Sequence, residues 1–318
     1  MAYSPGYRLF RRLPGNRWGP ESHLPHPLLI TGAPPTVYHT RFIVPAAAMF
    51  LLHNGQLVAA DAFALPLPNR GLAFGDGFFE TLVFAENRLR YTADHLARMQ
   101  QAATALYLTL PATLATPGAL AATLGALAAA NGLPAARLRL QLWRAGGGRY
   151  APPTATAEWL ATAEPFAPDE APIAQAGFAQ ETHSLFSPLS FCKGPQAWLY
   201  VRAAHERQQR GWDEIILCDA AGHVAEAGAA AIFWLKDGAL FTPSLASGCV
   251  AGVRRAQVLR AAKAQGLACR EGLFPPEELL AADAVFTANV AAVRAVKRID
   301  LTIFKSHHID AQFKNQPN

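Results

Sequence analysis

Charge is scarce in this sequence, and the scarcity limits what the chain can be. Charged residues make up only 16% of the 318 residues, whereas apolar residues make up 51%. Disordered proteins show the opposite balance, because they have too little apolar surface to offset the conformational entropy lost on folding. The composition therefore excludes a mainly disordered protein and predicts a globular one, long enough for two domains of ordinary size.

A basic surface of the kind that binds nucleic acid is also missing. The whole chain has 28 basic and 23 acidic residues, and residues 1–48 hold five of the former and one of the latter. Subtracting them leaves 23 basic and 22 acidic residues for the rest of the chain. Most of the excess positive charge therefore belongs to residues 1–48. With no RNA- or DNA-binding signature either, we expect no nucleic-acid partner.

Cysteine is rare and unpatterned. The four cysteines, Cys192, Cys218, Cys249 and Cys269, form no CxxC pair and have no metal-ligand spacing with histidine. This pattern indicates neither a metal site nor a disulfide framework, and reduced thiols predict a cytoplasmic protein.

A long, strongly apolar run is absent as well. Residues 99–136 carry no charge, but prolines interrupt them and their Ala, Thr and Gly content is only weakly apolar. A membrane-spanning helix needs about 20 predominantly apolar residues. We therefore expect a soluble Ala-rich helix here and no membrane partner.

Composition and pattern divide the chain into five segments. A leader rich in Pro, Gly, Arg and His is predicted to be a disordered extension or sequence upstream of an internal start, with a targeting peptide as the alternative. Short strands joined by glycine turns alternate with helices in most of the remainder, which predicts a mixed α/β fold. The predicted segments are a leader at 1–48, an N-terminal domain at 49–164, a Pro-rich linker at 165–172, a C-terminal domain at 173–304, and a polar, disordered tail at 305–318.

Two residues in the C-terminal half have side chains suited to amine chemistry. Lys193 ends an apolar stretch, and desolvation lowers the pKa of a lysine and makes its amine nucleophilic. Glu226 precedes a run of small residues, and a carboxylate can keep a pyridine nitrogen protonated. The alternatives are a surface lysine lying along apolar neighbours and an acid at the end of a turn.

Several other positions suit the binding of anions. Arg98 follows His95 by three residues on one helical face, where a guanidinium can bind a phosphate or simply be solvated. Arg144 and Arg149 flank a glycine loop that could hold a carboxylate or lie in solvent. Two loop segments could together hold a phosphate, because the first N–H groups of a helix are free; they contain Val253 with Arg254, and Asn289 with Val290.

The order of these motifs resembles that of the fold-type IV pyridoxal-phosphate enzymes. Gly-Asp-Gly-Phe-Phe-Glu-Thr begins at residue 75, and His-Leu-x-Arg, Arg-x-Gly-Gly-Gly-Arg-Tyr, a lysine, a glutamate and Gly-Val-x-Arg follow in turn. The resemblance covers about 49–300. The family includes branched-chain and D-amino-acid aminotransferases and aminodeoxychorismate lyase.

The resemblance implies a fold and a cofactor site. The fold would be a two-domain α/β structure, with a small N-terminal α/β domain, a larger C-terminal domain and pyridoxal 5'-phosphate between them. Lys193 would bond to the cofactor and move protons, Glu226 would pair with the pyridine nitrogen, and Arg98 would bind the phosphate. Backbone groups of four residues would complete the phosphate site: Val253, Arg254, Asn289 and Val290. Family members are dimers, so a homodimer acting on a small-molecule substrate is implied.

Within the family, the motifs look most like those of aminodeoxychorismate lyase. The opening Met-Phe-Leu, the Arg144–Tyr150 loop and Glu-x-x-Ala-Ala-x-Ile-Phe-Trp carry this likeness. It implies a lyase of folate biosynthesis that forms 4-aminobenzoate and pyruvate, with Arg144 or Arg149 holding a substrate carboxylate. A branched-chain or D-amino-acid aminotransferase is the alternative. A non-catalytic binding protein is a third, because Ala231 replaces the family's usual Asn and Trp198 cannot accept a hydrogen bond from the cofactor's phenolic oxygen.

Overall fold

The computed structural model describes residues 49–194, 197–305 and 313. The predictions for the leader and for most of the tail lie outside these residues. Lys305 and Phe313 are the described residues of the tail, and the Phe313 ring is fully buried and stacks on Phe286 with 5.2 Å between ring centroids.

An antiparallel sheet with its two longer helices on one face occupies residues 50–165. Its six strands are β1 (Phe50–His53), β2 (Gln56–Ala59), β3 (Gly77–Ala85), β4 (Arg88–Leu89), β5 (Ala136–Arg144) and β6 (Ala157–Pro165). They are hydrogen-bonded in the order β2-β1-β6-β5-β3-β4. The helices are α1 (Arg70–Phe74), α2 (Thr92–Ala105) and α3 (Pro117–Ala130).

The two faces of this sheet follow from alternation along its strands. On β5, Leu138, Leu140 and Leu142 are buried in one core with the leucines of α2 and α3. Because successive strand residues point to opposite faces, Arg137 and Arg139 lie on the other face. One face of the sheet therefore forms the core, and the other is available to a site.

The uncharged stretch forms α3, as predicted. Thr116 caps this helix by accepting a hydrogen bond from the Ala119 N–H, and Pro117 occupies the first turn. Both residues favour a helix start. None of the helices among the described residues is long and apolar enough to cross a membrane.

Residues 176–303 contain two further five-stranded sheets. One comprises β7 (Ala176–Phe178), β8 (Glu214–Cys218), β9 (Val224–Ala227), β15 (Arg298–Ile299) and β16 (Thr302–Ile303), in the order β16-β15-β7-β8-β9. The other comprises β10 (Ala231–Lys236), β11 (Ala239–Pro243), β12 (Ala268–Gly272), β13 (Ala284–Ala288) and β14 (Val293–Val296), in the order β12-β11-β10-β13-β14. The helices are α4 (Trp198–Gln209), α5 (Val253–Ala264) and α6 (Pro276–Leu280).

The predicted mixed α/β class is confirmed by these sheets and helices. Both C-terminal sheets mix parallel and antiparallel pairing, since β12 joins β11 in parallel while β10 joins it antiparallel. Tight turns at Gly222 and Gly238 adopt positive φ angles of 90° and 71°, which glycine tolerates without strain. The division into domains at 164 and 173 stays a prediction.

Candidate active site

A cavity of about 550 Å³ is lined by both halves of the chain. The core-free face of the first sheet supplies Phe79 and Thr81, and β9 supplies Glu226. The structure brings to this cavity every residue that the resemblance assigned to the cofactor: Arg98, Lys193, Glu226, Val253, Arg254, Asn289 and Val290. Over the same described residues, no group of three or more His, Cys, Asp or Glu side chains is placed to hold a metal ion.

Lys193 lies on a loop that is anchored to the first sheet. Its carbonyl accepts a hydrogen bond from the Phe79 N–H at 2.9 Å, and its Nζ is 5.8 Å from the centre of the Phe79 ring. Burial and the nearby Arg98 charge lower the pKa of the Lys193 amine, against the opposing charges of Glu80 and Glu226. More of this amine is therefore unprotonated at neutral pH than in an exposed lysine, and an unprotonated amine is both a nucleophile and a base.

Glu226 is buried on β9 and also lines the cavity. Its Oε1 accepts a hydrogen bond from the Tyr200 hydroxyl at 2.7 Å, and its Oε2 accepts one from the Val250 N–H at 3.3 Å. Burial raises the pKa of Glu226 to about 7, although both hydrogen bonds and the Lys193 charge act to lower it. A positively charged ligand group beside it would favour the ionised form further.

Arg98 is fixed by a buried carboxylate. Its Nε and Nη2 donate to the two oxygens of Glu80 at 2.8 and 2.6 Å, and its Nη1 donates to the Ala251 carbonyl at 2.9 Å. His95 shares the same carboxylate, with Nδ1 2.8 Å from Oε2. Despite its burial, the pKa of Glu80 is lowered to about 2 by Arg98 and His95, so this carboxylate is ionised at neutral pH.

Some polar groups of Arg98 and His95 have no hydrogen-bond partner among the described residues. Three of the five N–H groups of Arg98 have the partners given above, and the other two have none in the described part of the chain. His95 is fully buried and lines the cavity, and its Nε2 has no hydrogen-bond partner there either. Buried polar groups without partners are uncommon and point to a ligand that supplies them.

The two predicted phosphate-binding loops differ in what they offer. Val253 and Arg254 begin α5 after Gly252, which caps the helix with no side-chain hydrogen bond, so the first N–H groups are available to an anion. The Asn289 N–H instead donates to the Ala292 carbonyl at 3.0 Å. Its side-chain oxygen accepts from two N–H groups of the same turn, so Asn289 shapes the loop that presents Val290.

The structure does not bring Arg144 or Arg149 to the cavity. Arg144 is buried, its guanidinium donates to the Asp76 carboxylate at 3.0 Å, and it also donates to the Tyr107 carbonyl at 3.0 Å. Arg149 is exposed, and its carbonyl accepts a hydrogen bond from Arg70. Arg144 lies away from the cavity because side chains alternate along β5: it follows Leu142 by two residues and so shares the core face of the sheet.

Arg137 and Arg139 line the cavity instead, and the sequence reasoning did not assign them to it. The Arg139 guanidinium lies over the Phe79 ring, 3.9 Å from its centre, and has no acidic partner among the described residues. Burial and the Arg137 charge lower its pKa. Arg137 has a partner, Glu164, at 3.3 Å, in a pair more than half exposed. The alternation of leucines with residues 137 and 139 was a signal that could have identified both.

The two aromatic residues that follow Lys193, Trp198 and Tyr200, have different surroundings. Trp198 is 73% exposed and does not line the cavity, whereas Tyr200 does and reaches Glu226. Ala231 lines the cavity, where it leaves room and adds no side-chain polar group.

Comparison with known proteins gives a consistent family. The family model described as amino-transferase class IV matches residues 77–299. Aminodeoxychorismate lyase from Vibrio harveyi is 27% identical over 71% of this chain and 83% of its own. Curated branched-chain-amino-acid aminotransferases, among them that of Escherichia coli, are 34% identical over 96 residues, which are 30% of this chain and 31% of theirs. The match therefore spans less than a third of their length.

Solved structures of both kinds have the same fold. A branched-chain aminotransferase from Thermoproteus uzoniensis superposes with a TM-score of 0.74 at 24% identity, over 81% of this chain and 90% of that one. The 4-amino-4-deoxychorismate lyase from Pseudomonas aeruginosa superposes with a TM-score of 0.70 at 26% identity, over 81% and 94%. Likeness of fold alone does not choose between the two reactions.

Proposed function

This chain belongs to the amino-transferase class IV family, and from that premise we propose that it is an aminodeoxychorismate lyase, which forms 4-aminobenzoate and pyruvate in folate biosynthesis. Class IV aminotransferases use pyridoxal 5'-phosphate, so the protein is a pyridoxal-phosphate-dependent enzyme. The alternative is a branched-chain or D-amino-acid aminotransferase of the same family.

The residues around the cavity fit this cofactor. Lys193 provides an amine of lowered pKa for its carbonyl carbon, and Glu226 provides a buried carboxylate for its ring nitrogen. Two unpaired N–H groups of Arg98 and the start of α5 suit a phosphate dianion. When bound, the cofactor supplies an electron sink for the electron pair left on a substrate carbon that loses its proton.

The chain's own residues then have distinct tasks. The Lys193 Nζ takes the proton from the amine-bearing ring carbon of the substrate, which its lowered pKa allows near neutral pH. Glu226 would keep the pyridine nitrogen of the bound cofactor protonated, and Arg98, fixed by Glu80, would hold its phosphate. The ring becomes aromatic as its ether bond to the enolpyruvyl group breaks, and that group gains a proton and leaves as pyruvate.

The observation that carries the choice of a lyase is the arginine pair on β5. Aminodeoxychorismate has two carboxylates, whereas a branched-chain amino acid has one carboxylate and an apolar side chain. Arg139 has no carboxylate partner in the described part of the chain, and Arg137 lies two residues away on the same face. Two cavity arginines suit a dicarboxylate. A relative that matches over most of both chains, the Vibrio harveyi lyase, supports the same choice.

The test is product release by the cofactor-loaded protein. Aminodeoxychorismate, made in the same vessel by its synthase, is supplied, and 4-aminobenzoate and pyruvate are measured separately. We expect equal amounts of the two products, lost in Lys193→Ala and retained in the control Lys263→Ala, whose side chain is exposed at the end of α5.

Parallel assays distinguish the alternatives. Leucine, D-alanine and glutamate are each supplied with a keto acid acceptor, and transfer of the amino group is followed. Glutamate is included because it is also a dicarboxylate and could use the same arginines. Amino-group transfer without 4-aminobenzoate release would overturn the lyase assignment in favour of an aminotransferase.

We also propose a homodimer. Large apolar side chains flank Lys193 in sequence and are mostly exposed in the single chain, which is the usual mark of a protein interface; they include Leu185, Phe186, Trp198 and Val201. Sedimentation velocity of the cofactor-loaded protein should give twice the mass of one chain.

The four cysteines are unpaired thiols, and we propose a cytoplasmic location on that basis.

A further inference from the structure

Tyr200 occupies an unusual position relative to the cofactor residues. It lies on the first turns of α4, seven residues after Lys193, and its half-buried side chain lines the cavity. Its hydroxyl donates a 2.7 Å hydrogen bond to Glu226, whose backbone is on β9. Trp198, on the same turn, is mostly exposed.

We propose that Tyr200 is a positioning residue for the cofactor site, which holds the Glu226 carboxylate in the orientation and ionised state that the pyridine nitrogen requires. The proposal rests on the cofactor part of the proposed function and is independent of the choice between lyase and aminotransferase.

The geometry explains why Glu226 needs such a partner. The carboxylate is 5% exposed and has only two hydrogen bonds from the described residues, of which that from Tyr200 is the shorter by 0.6 Å. Without the hydroxyl, one oxygen would lose its donor inside the protein, where a lost hydrogen bond to a charged group is costly. Burial already raises the pKa of Glu226, so this loss would favour the protonated acid, which can no longer accept the ring proton.

Tyr200 itself is suited to remain a donor. Burial and the Glu226 charge both raise the pKa of its phenol above the ordinary value, so the hydroxyl keeps its proton at neutral pH. The direction of the hydrogen bond is therefore fixed, from Tyr200 to Glu226. A hydroxyl that always donates to one carboxylate oxygen, with the Val250 N–H donating to the other, leaves the remaining lone pairs of both oxygens for the cofactor.

The experiment measures the dissociation constant of pyridoxal phosphate from the apoprotein, without substrate. Tyr200→Phe keeps the ring and removes the hydroxyl, and we expect its affinity to fall about tenfold. Tyr107→Phe is the matched control, because Tyr107 is 82% exposed and its phenol is remote from the cavity lining; its affinity should equal that of the wild type. Denaturation curves confirm that both variants are folded.

A second pair of variants distinguishes positioning from general packing. Glu226→Gln is expected to weaken binding by itself, and adding Tyr200→Phe to it should change the affinity no further, because the hydroxyl acts through the Glu226 carboxylate. Unchanged affinity in Tyr200→Phe, or full additivity in the double variant, would overturn the proposal. Since no substrate is present, either result is separate from failure of the lyase assay.

Discussion

Arg139 and Arg144 lie on the same strand, β5, but they have opposite surroundings. Arg144 is 6% exposed and faces the core side, where it bonds to the Asp76 carboxylate and to main-chain carbonyls. Arg139 faces the cavity, stacks on Phe79 and has no carboxylate partner among the described residues. Sequence spacing explains the difference, because five positions along a strand reverse the face.

The difference distinguishes a structural arginine from one that can bind a ligand. The charge of Arg144 is compensated inside the protein, so an incoming carboxylate would have to displace Asp76. Arg139 is partly desolvated and next to the like charge of Arg137, so its pKa is lowered, and a substrate carboxylate would relieve both effects. Arg98 combines the two states, since Glu80 fixes it while two of its N–H groups have no partner in the described part of the chain and could bind an anion.

The largest effect is expected from removing the acid that fixes Arg98. Glu80→Gln leaves the guanidinium buried without its carboxylate, and breaking a buried pair from one side typically costs about 3–5 kcal/mol of unfolding free energy. Chemical denaturation of the apoprotein measures the loss. The control is Glu164→Gln, whose exposed pair with Arg137 should contribute at most about 1 kcal/mol.

The same carboxylate predicts how stability depends on acid. The pKa of Glu80 is about 2 in the folded protein and 4.5 ordinarily, so its stabilisation is complete above about pH 4.5 and is lost as the pH falls toward 2. In Glu80→Gln this contribution is absent, so stability should decrease less steeply between pH 4.5 and 2 than in the wild type. Identical slopes would contradict the assignment of the low pKa to Glu80.

The next effect separates the two arginines of β5. Arg144→Gln should cost about 3 kcal/mol of stability, because Asp76 keeps only Arg70 and the buried carbonyls that Arg144 bonds lose their donor; it should leave the KM of the folded enzyme unchanged. Arg139→Gln should do the reverse, with an unchanged denaturation midpoint and a KM raised about tenfold for a dicarboxylate substrate. Denaturation and steady-state kinetics on both variants are needed. A raised KM in Arg144→Gln alone would restore the original sequence prediction.

The sequence predicted more of the fold than of the substrate side of the site. Strand β5 can be predicted from the sequence, because leucines alternate with polar residues there. Strand β14 (Val293–Val296) cannot, because four residues that include a cavity arginine carry little periodicity. The residues predicted to bind the cofactor were identified through the order of separate motifs, and the structure gathers them in one cavity.

The two arginines that the sequence indicated for a substrate carboxylate, Arg144 and Arg149, do not line the cavity, and the reason is physical. The glycine loop after Arg144 looks like a flexible binding loop. This local signal outweighed the alternation of side chains along β5, which places Arg144 on the core face. Tyr200 could not have been found from sequence, because its partner Glu226 is 26 residues away on another element and nothing local indicates the contact. Local sequence patterns indicate which face of a strand a side chain takes and where turns lie. Contacts between side chains of different elements become visible only in the folded structure.

The smallest predicted effect tests what holds Arg139 in place. Phe79→Leu keeps an apolar residue but removes the ring under the guanidinium, a contribution of about 0.5–1 kcal/mol, so KM should rise about threefold with kcat unchanged. In the Arg139→Gln background the same change should have no further effect on KM, since the ring then has no guanidinium to hold. The Phe79 ring is also 5.8 Å from the Lys193 Nζ. A lower kcat at constant KM would therefore mean that the ring acts through the lysine and that Arg139 is held by other contacts.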